Sequence, residues 1–224
     1  MNKLLTNGEA HYMVGLDGHV YRVIDRNRLA YHAGVSMWNG KVNIDNYSIG
    51  IEVVGTYAAD LTPAQYRSLR DLIAYLQRIY QVPDDRVLSH SMVAYGEPNQ
   101  WHKRPHRGRK RCGMLFAKTS VREALGLERK PAIDPDVKAG RLVVGDPYLA
   151  KVLYGTETEQ TVAITRFTGK SADKIAADRS AWDIAGDEYA SSKTLYIYPT
   201  GKRLHGNQIK DWGKIPIGTR VICF

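Results

Sequence analysis

Apolar and polar residues alternate most sharply over residues 10–24, around Asp17-Gly18. An Asp-Gly pair between two alternating arms is a strong hairpin signal. His11-Tyr-Met-Val14 and His19-Val-Tyr-Arg-Val-Ile24 are therefore expected as paired strands. A polar loop with Gly34, Asn39 and Gly40 leads into a second apolar stretch, Tyr47-Ser-Ile-Gly-Ile-Glu-Val-Val54. As a strand over 48–54, it places Ile49, Ile51 and Val53 on one face and Gly50, Glu52 and Val54 on the other.

The period then changes. Leu69, Leu72, Ile73, Leu76, Ile79 and Tyr80 recur at helical spacing and predict a helix over 63–80. Thr62 supplies an N-cap, Pro63 the first helical position and Gln65 the far side of a capping box. Gln81-Val-Pro-Asp-Asp85 breaks the helix, and Arg86-Val-Leu-Ser89 reads as a short strand that delivers His90 at its C-terminal end. Ligands commonly sit at such strand ends in α/β folds. Residues 117–126 read as a short helix. Glu128-Arg-Lys-Pro-Ala-Ile-Asp-Pro-Asp136 reads as a charged, proline-bearing linker. Beyond about 140 the chain turns to Thr, Ser, Gly and Tyr with short apolar runs. The expected division is a domain at 1–127, a linker at 128–139 and a smaller domain at 140–224.

Composition narrows the setting. The 224 residues are 43% hydrophobic and 25% charged, ordinary values for a globular chain. No apolar run approaches the roughly 20 residues of a membrane helix, and Met1-Asn-Lys-Leu-Leu-Thr-Asn-Gly8 has no apolar core of a secretory signal. The net charge of +9 and pI of about 9.5 suit a polyanionic partner. That partner is either nucleic acid or an anionic cell wall, and no recognised nucleic-acid motif supports the first. Two cysteines, Cys112 and Cys223, do not make a disulfide framework, which leaves Cys112 available as a metal ligand.

Three features carry chemistry. Glu52 is a lone carboxylate in an apolar strand, His90 is a metal-competent imidazole, and Cys112 follows Lys110 by two residues in Arg109-Lys-Arg-Cys-Gly113. A carboxylate, part of a zinc shell and a cation are components of a metal-assisted amide hydrolase. An amide is a poor electrophile, and zinc-bound water with a pKa near 7 supplies hydroxide at neutral pH. A carboxylate of raised pKa can accept the water's proton and return it to the leaving amine. A lysine can stabilise the oxyanion, and neighbouring cations favour the Cys112 thiolate.

His11-Tyr-Met-Val, Asp17-Gly18, Ala30-Tyr-His-Ala-Gly34, Asn46-Tyr-Ser-Ile-Gly-Ile-Glu52, Thr62-Pro-Ala-Gln-Tyr66, Leu88-Ser-His-Ser-Met-Val-Ala94 and Arg109-Lys-Arg-Cys-Gly113 occur in this order. Over residues 8–118 the chain resembles the zinc-dependent N-acetylmuramoyl-L-alanine amidases, which include phage lysins and relatives of peptidoglycan recognition proteins. The resemblance implies an α/β fold with a mixed sheet flanked by helices. It also implies Zn2+ held by two histidines and an Asp or Cys, and bacterial peptidoglycan as the partner. The bond expected to be cut joins the muramoyl lactyl group to L-alanine of the stem peptide. By motif, His90 and Cys112 match zinc ligands, Glu52 the catalytic carboxylate and Lys110 the cation of the site. His32, with Trp38 and Asn46, is expected to contact substrate, and His11 to be structural. The family's first zinc histidine lies on a strand ahead of the motif at Ala10, and Met1–Glu9 contains no histidine. His102 and His106 are the substitutes to be weighed.

A lysin-like chain of this kind would be cytoplasmic until release, or virion-associated, with 140–224 binding the wall. Ser171–Ala177, Trp182–Ala185 and Asn207–Lys210 with Ile215–Val221 loosely resemble a LysM-like glycan-binding module, and a small α+β or β domain is the alternative. Tyr196, Tyr198 and Trp212 are candidates for stacking on sugar rings. Two other functions stay open: a non-catalytic peptidoglycan-binding protein, and a thiol hydrolase with Cys112 as nucleophile and His90 as base.

Overall fold

The computed structural model describes residues 8–55, 60–156, 159, 172–176 and 180–223. The Asp17-Gly18 hairpin forms as expected: β1 (Tyr12–Val14) and β2 (Val20–Arg22) pair antiparallel with Tyr12 opposite Arg22. Gly18 takes φ 81°, which a side chain would oppose. A two-stranded ribbon follows, β3 (Met37–Trp38) with β4 (Lys41–Val42). β5 (Ile51–Val53) then lies parallel to β1, with Met13 opposite Glu52, so the sheet is mixed and ordered β2-β1-β5.

The helix α1 (Pro63–Tyr80) occupies the span predicted from its cap and stripe. Thr62 Oγ1 accepts from the Gln65 N–H and Gln65 Oε1 accepts from the Thr62 N–H, both at 3.1 Å. Leu69, Leu72, Ile73 and Leu76 pack against Tyr12 and Val14, with Ile51 and Val53 joining from β5 and Ile49 from just before it. Ile79 and Tyr80 leave the stripe and are each 40% exposed. The expected strand at 86–89 pairs with no strand among the described residues. Asp84–Arg86 is a 3-10 turn, Val87–Ser89 runs extended, and a short helix α2 (His90–Val93) begins at His90 itself.

β6 (Tyr95–Gly96) pairs antiparallel with β7 (His106–Arg107), and α3 (Thr119–Ala124) falls inside the predicted short helix. The stretch expected as a linker is instead tied down. It forms α4 (Pro135–Lys138), capped by Asp134, whose side chain accepts from the Asp136 and Val137 N–H groups. Asp134 and Asp136 are buried, and Arg107 reaches both, at 2.5 and 3.1 Å. The same guanidinium donates to the carbonyls of Met37, Val93 and Ala94.

β8 (Val143–Val144) then adds parallel to β7. α5 (Pro147–Tyr154) buries Leu149, Val152 and Leu153 among Trp38, Met92 and Met114. The packing therefore runs on through Tyr154, past the boundary expected at 140. A run of carboxylates reads as solvated linker when its counter-ion lies about thirty residues away.

A separate core follows. β9 (Ala172–Lys174), β10 (Thr194–Ile197), β11 (Arg203–His205) and β12 (Arg220–Cys223) form an antiparallel sheet ordered β11-β10-β12-β9, with α6 (Ala181–Ala185) beside it. Ile175, Ile184, Tyr196, Ile215 and Val221 fill this core. Four strands and a helix correspond to the small α+β alternative. Of the segments likened to a glycan-binding module, Ser171 and Ala177 lie outside the described residues, as do Met1–Asn7 at the start. Among the described residues no helix is long and apolar enough to cross a membrane.

Candidate active site

The floor of the site follows from strand alternation. Ile51 and Val53 pack toward α1, so Glu52 projects from the opposite face of β5 into a cleft. The sequence suggests a buried carboxylate, but Glu52 is exposed by surface area. Protein atoms still crowd it at the cleft floor. That crowding, followed by the Glu9 carboxylate, raises its pKa above the ordinary value, while Lys110 pulls it back.

Lys110 is exposed, and its flanking arginines have other work. Arg109 donates to the carbonyls of Tyr95 and Val35, and buried Arg111 pairs with Asp146 at 2.8 Å. Within Arg109-Lys-Arg111, Lys110 is the cation that acts on Glu52, and it acts on His90 ahead of Arg109.

His90 is held by a loop from the other side of the cleft. Its Nε2 lies 3.0 Å from the Ala33 carbonyl, which only accepts, so Nε2 carries the proton and Nδ1 is left as an acceptor. Burial, then Lys110, pushes its pKa down to about 4. The Ala33 loop is itself pinned: Asp45 Oδ1 accepts from the N–H groups of His32 and Ala33, at 2.8 and 2.7 Å. The sequence reading missed Asp45, since nothing in a short polar loop signals which backbone its carboxylate will hold.

The expected substrate contacts separate. The His32 ring is largely buried, with Nδ1 donating to the Ala30 carbonyl and Nε2 2.8 Å from Ser48 Oγ. Gly50 lies directly beneath it, where an added Cβ would meet the ring at 2.3 Å. Asn46 is exposed on the 3-10 turn Ile44–Tyr47 at the cleft rim. Trp38 is a core residue, 8% exposed against Met92 and Val93, which leaves little of its ring to meet a substrate. His11 is structural, as expected: Gly50 N–H donates to its Nδ1 and its Nε2 donates to the Arg28 carbonyl.

The fit of these residues to zinc can be judged from their donors. His90 offers Nδ1, and Cys112 is brought near by the Ser91 N–H, which donates to the Cys112 carbonyl at 3.0 Å. Neither cysteine is in a disulfide. Protein zinc sites take three or four protein donors. Among the described residues no three His, Cys, Asp or Glu side chains converge as a metal site. His102 and His106, the possible substitutes, stack on each other at 3.8 Å beside β7. The described residues therefore do not compose a zinc site on their own.

Comparison with known proteins bears on the same half of the chain. Residues 2–112 match the family N-acetylmuramoyl-L-alanine amidase. The 1,6-anhydro-N-acetylmuramyl-L-alanine amidase AmpD of Haemophilus influenzae is 33% identical over 86 residues, 38% of this chain and 47% of that protein. AmpD of Escherichia coli is 38% identical over 85 residues, 38% of this chain and 46% of that protein. The chain thus spans about half the length of these curated relatives. Among solved structures, the amidase AmiD from E. coli in complex with anhydro-N-acetylmuramic acid-L-Ala-D-gamma-Glu-L-Lys aligns at a TM-score of 0.37. The alignment is 24% identical and covers 41% of this chain and 44% of that one.

Proposed function

We propose that residues 2–112, a segment of the N-acetylmuramoyl-L-alanine amidase family, act on peptidoglycan at the amide between the muramoyl lactyl group and L-alanine. The observation that carries this reading is the one cleft lined by both Glu52 and His90, with Lys110 acting on each of them. Glu52, with its raised pKa, takes the proton of an attacking water and delivers it to the leaving amide nitrogen. Lys110 stabilises the negative charge that grows on the carbonyl oxygen. No step is assigned to zinc, because His90 and Cys112 are two donors where three are needed. The zinc dependence implied by the resemblance thus calls for a third donor outside the described set.

The region after Tyr154, with its own core, serves in this reading to hold the chain on the wall and raise the local concentration of substrate. Tyr196 is buried in that core and its hydroxyl donates to the Tyr189 carbonyl, so stacking on sugar falls to Tyr198 and Trp212, which are partly exposed. The net charge of +9 would add attraction to anionic wall polymers. A lysin-like life, cytoplasmic until release or carried in a virion, is part of the same proposal.

The incomplete donor set favours one second reading, a peptidoglycan-binding protein without turnover. Zinc stoichiometry and release of stem peptides from purified peptidoglycan, with and without chelator, separate the two. Release that is lost in Glu52→Gln supports the amidase. Wall binding with neither zinc nor release supports the binding protein, and release blocked by thiol alkylation but not by chelator would point to Cys112 as nucleophile.

A further inference from the structure

The antiparallel sheet of the second core has two unlike faces, and strand alternation sorts the side chains between them. Tyr196, Leu204 and Val221 turn toward the core. Their neighbours along each strand therefore turn outward. Ile197 stands opposite Arg203 on one side and Arg220 on the other, and Arg220 stands opposite Lys174. One row across the four strands thus reads Arg203, Ile197, Arg220, Lys174. The row beside it brings together His205, Leu195 and Ile222.

All three cations of the first row are exposed, and no described residue forms an ion pair with any of them. Nor does a carboxylate of β9–β12 stand on this face, since Asp173 lies opposite buried Val221 on the core side. Arg220 and Lys174 are direct cross-strand partners, and like charges so placed destabilise a sheet. The arginines of the first core are treated differently: Arg107, Arg111 and Arg141 each meet a carboxylate. With strands about 4.8 Å apart, the backbone positions of Arg203 and Lys174 are separated by roughly 14 Å.

We propose that this outer face binds a linear phosphodiester polymer of the cell wall, laid along the cation row and across the strands. The proposal rests on the reading of the second region as the part that holds the chain on the wall. An anionic ligand supplies the counter-charge that the described residues do not. Arginine donates to phosphate oxygens as a bidentate fork, and lysine adds a compact point charge. A polymer charged in every repeat meets cations on three strands at once, whereas a single small anion cannot span the row. Leu195, Ile197 and Ile222 are half-buried beside the cations and offer an aliphatic bed for the carbons between phosphates. Nucleic acid shares the phosphate chemistry, but its single strands are held by stacking bases on aromatic rings. This face carries no Phe, Tyr or Trp, and the His205 ring is engaged by the Ser192 carbonyl at 2.7 Å.

The test is calorimetric titration of the full chain with poly(glycerol phosphate) at several salt concentrations. The variant Lys174→Gln, Arg203→Gln, Arg220→Gln should bind at least tenfold more weakly, with a log–log salt slope shallower by about 2 for three lost phosphate contacts. A control removing the same charge elsewhere, Arg67→Gln, Arg78→Gln, Lys138→Gln, should lose less than threefold; all three of those residues are exposed. In the unaltered chain, amide resonances of β9–β12 should shift with the polymer while those of α1 stay in place, a readout that does not depend on how the variants fold. No binding, equal weakening by the control, or shifts centred on α1 would overturn the proposal. Oligothymidylate bound as tightly, and lost in the same variant, would overturn it in favour of nucleic acid. Peptidoglycan stripped of phosphate polymers should still be held by the first variant. Loss of that binding would overturn the phosphate assignment, and its retention separates failure of this face from failure of the wall-holding reading.

Discussion

Asp136→Ala tests whether the 128–139 stretch is a structural anchor. Asp136 is fully buried, and its carboxylate accepts four hydrogen bonds: the Asn39 and Gly40 N–H groups at 2.9 and 2.7 Å, Arg107 at 3.1 Å and Arg141 at 2.8 Å. Removing it leaves two backbone N–H groups without their partner, at about 1–3 kcal/mol each. It also takes one of two carboxylates from buried Arg107, and breaking a buried ion pair costs about 3–5 kcal/mol. Arg107 keeps Asp134 and three carbonyls, and such losses do not add fully, so the expected total is about 3–5 kcal/mol. With a urea slope of about 1–3 kcal/mol/M, the unfolding midpoint should fall by about 2 M. Tryptophan fluorescence reads this transition, since Trp38 lies in the same core. Asp136→Asn keeps acceptor oxygen and should lose about half as much. A loss under about 1 kcal/mol in the alanine variant would refute the reasoning, because it would mean the network bears little of the fold.

Three further outcomes follow from the packing. A chain ending at Gly155 should fold cooperatively, whereas one ending at Ala139 should not, because it strips Leu149, Val152 and Leu153 from the core around Met92 and Met114; circular dichroism melts of the two would decide it. Gly50→Ala should cost about 1–3 kcal/mol by overpacking, since the new Cβ would meet His32 at 2.3 Å; an unchanged melting temperature and unchanged His32 ring resonances would count against it. Burial holds the pKa values of both His102 and His106 below the ordinary histidine value, with Asp146 and Glu97 as the facing carboxylates. The unfolded chain then binds protons that the folded chain refuses, so stability falls as pH drops below roughly 6.5. His102→Gln with His106→Gln should make that fall shallower between pH 7.5 and 5.5 in urea titrations, leaving the part due to His90 and His32, and an unaltered slope would contradict it.

What the order of residues determined by itself is what short-range physics decides. The Asp17-Gly18 hairpin, the capping box at Thr62 and Gln65, and the span of α1 each rest on neighbours within a few positions. The two faces of the Glu52 strand follow from a period of two, and the raised pKa of Glu52 keeps the direction expected of a carboxylate set among apolar neighbours. His90, Lys110 and Cys112 were legible as motif positions, but not the geometry that gathers them.

Tertiary structure alone decided the rest, because partners far apart in the chain carry it. Arg107 turned an apparent linker into a buried anchor across about thirty residues. Asp45, through the Ala33 loop, set which His90 nitrogen is left as an acceptor. Trp38 became core rather than contact surface once α5 folded over it. The extended run at Val87–Ser89 has strand-like dihedrals at both ends, yet it forms no ladder among the described residues, because a strand is completed by a neighbour and local sequence cannot supply one.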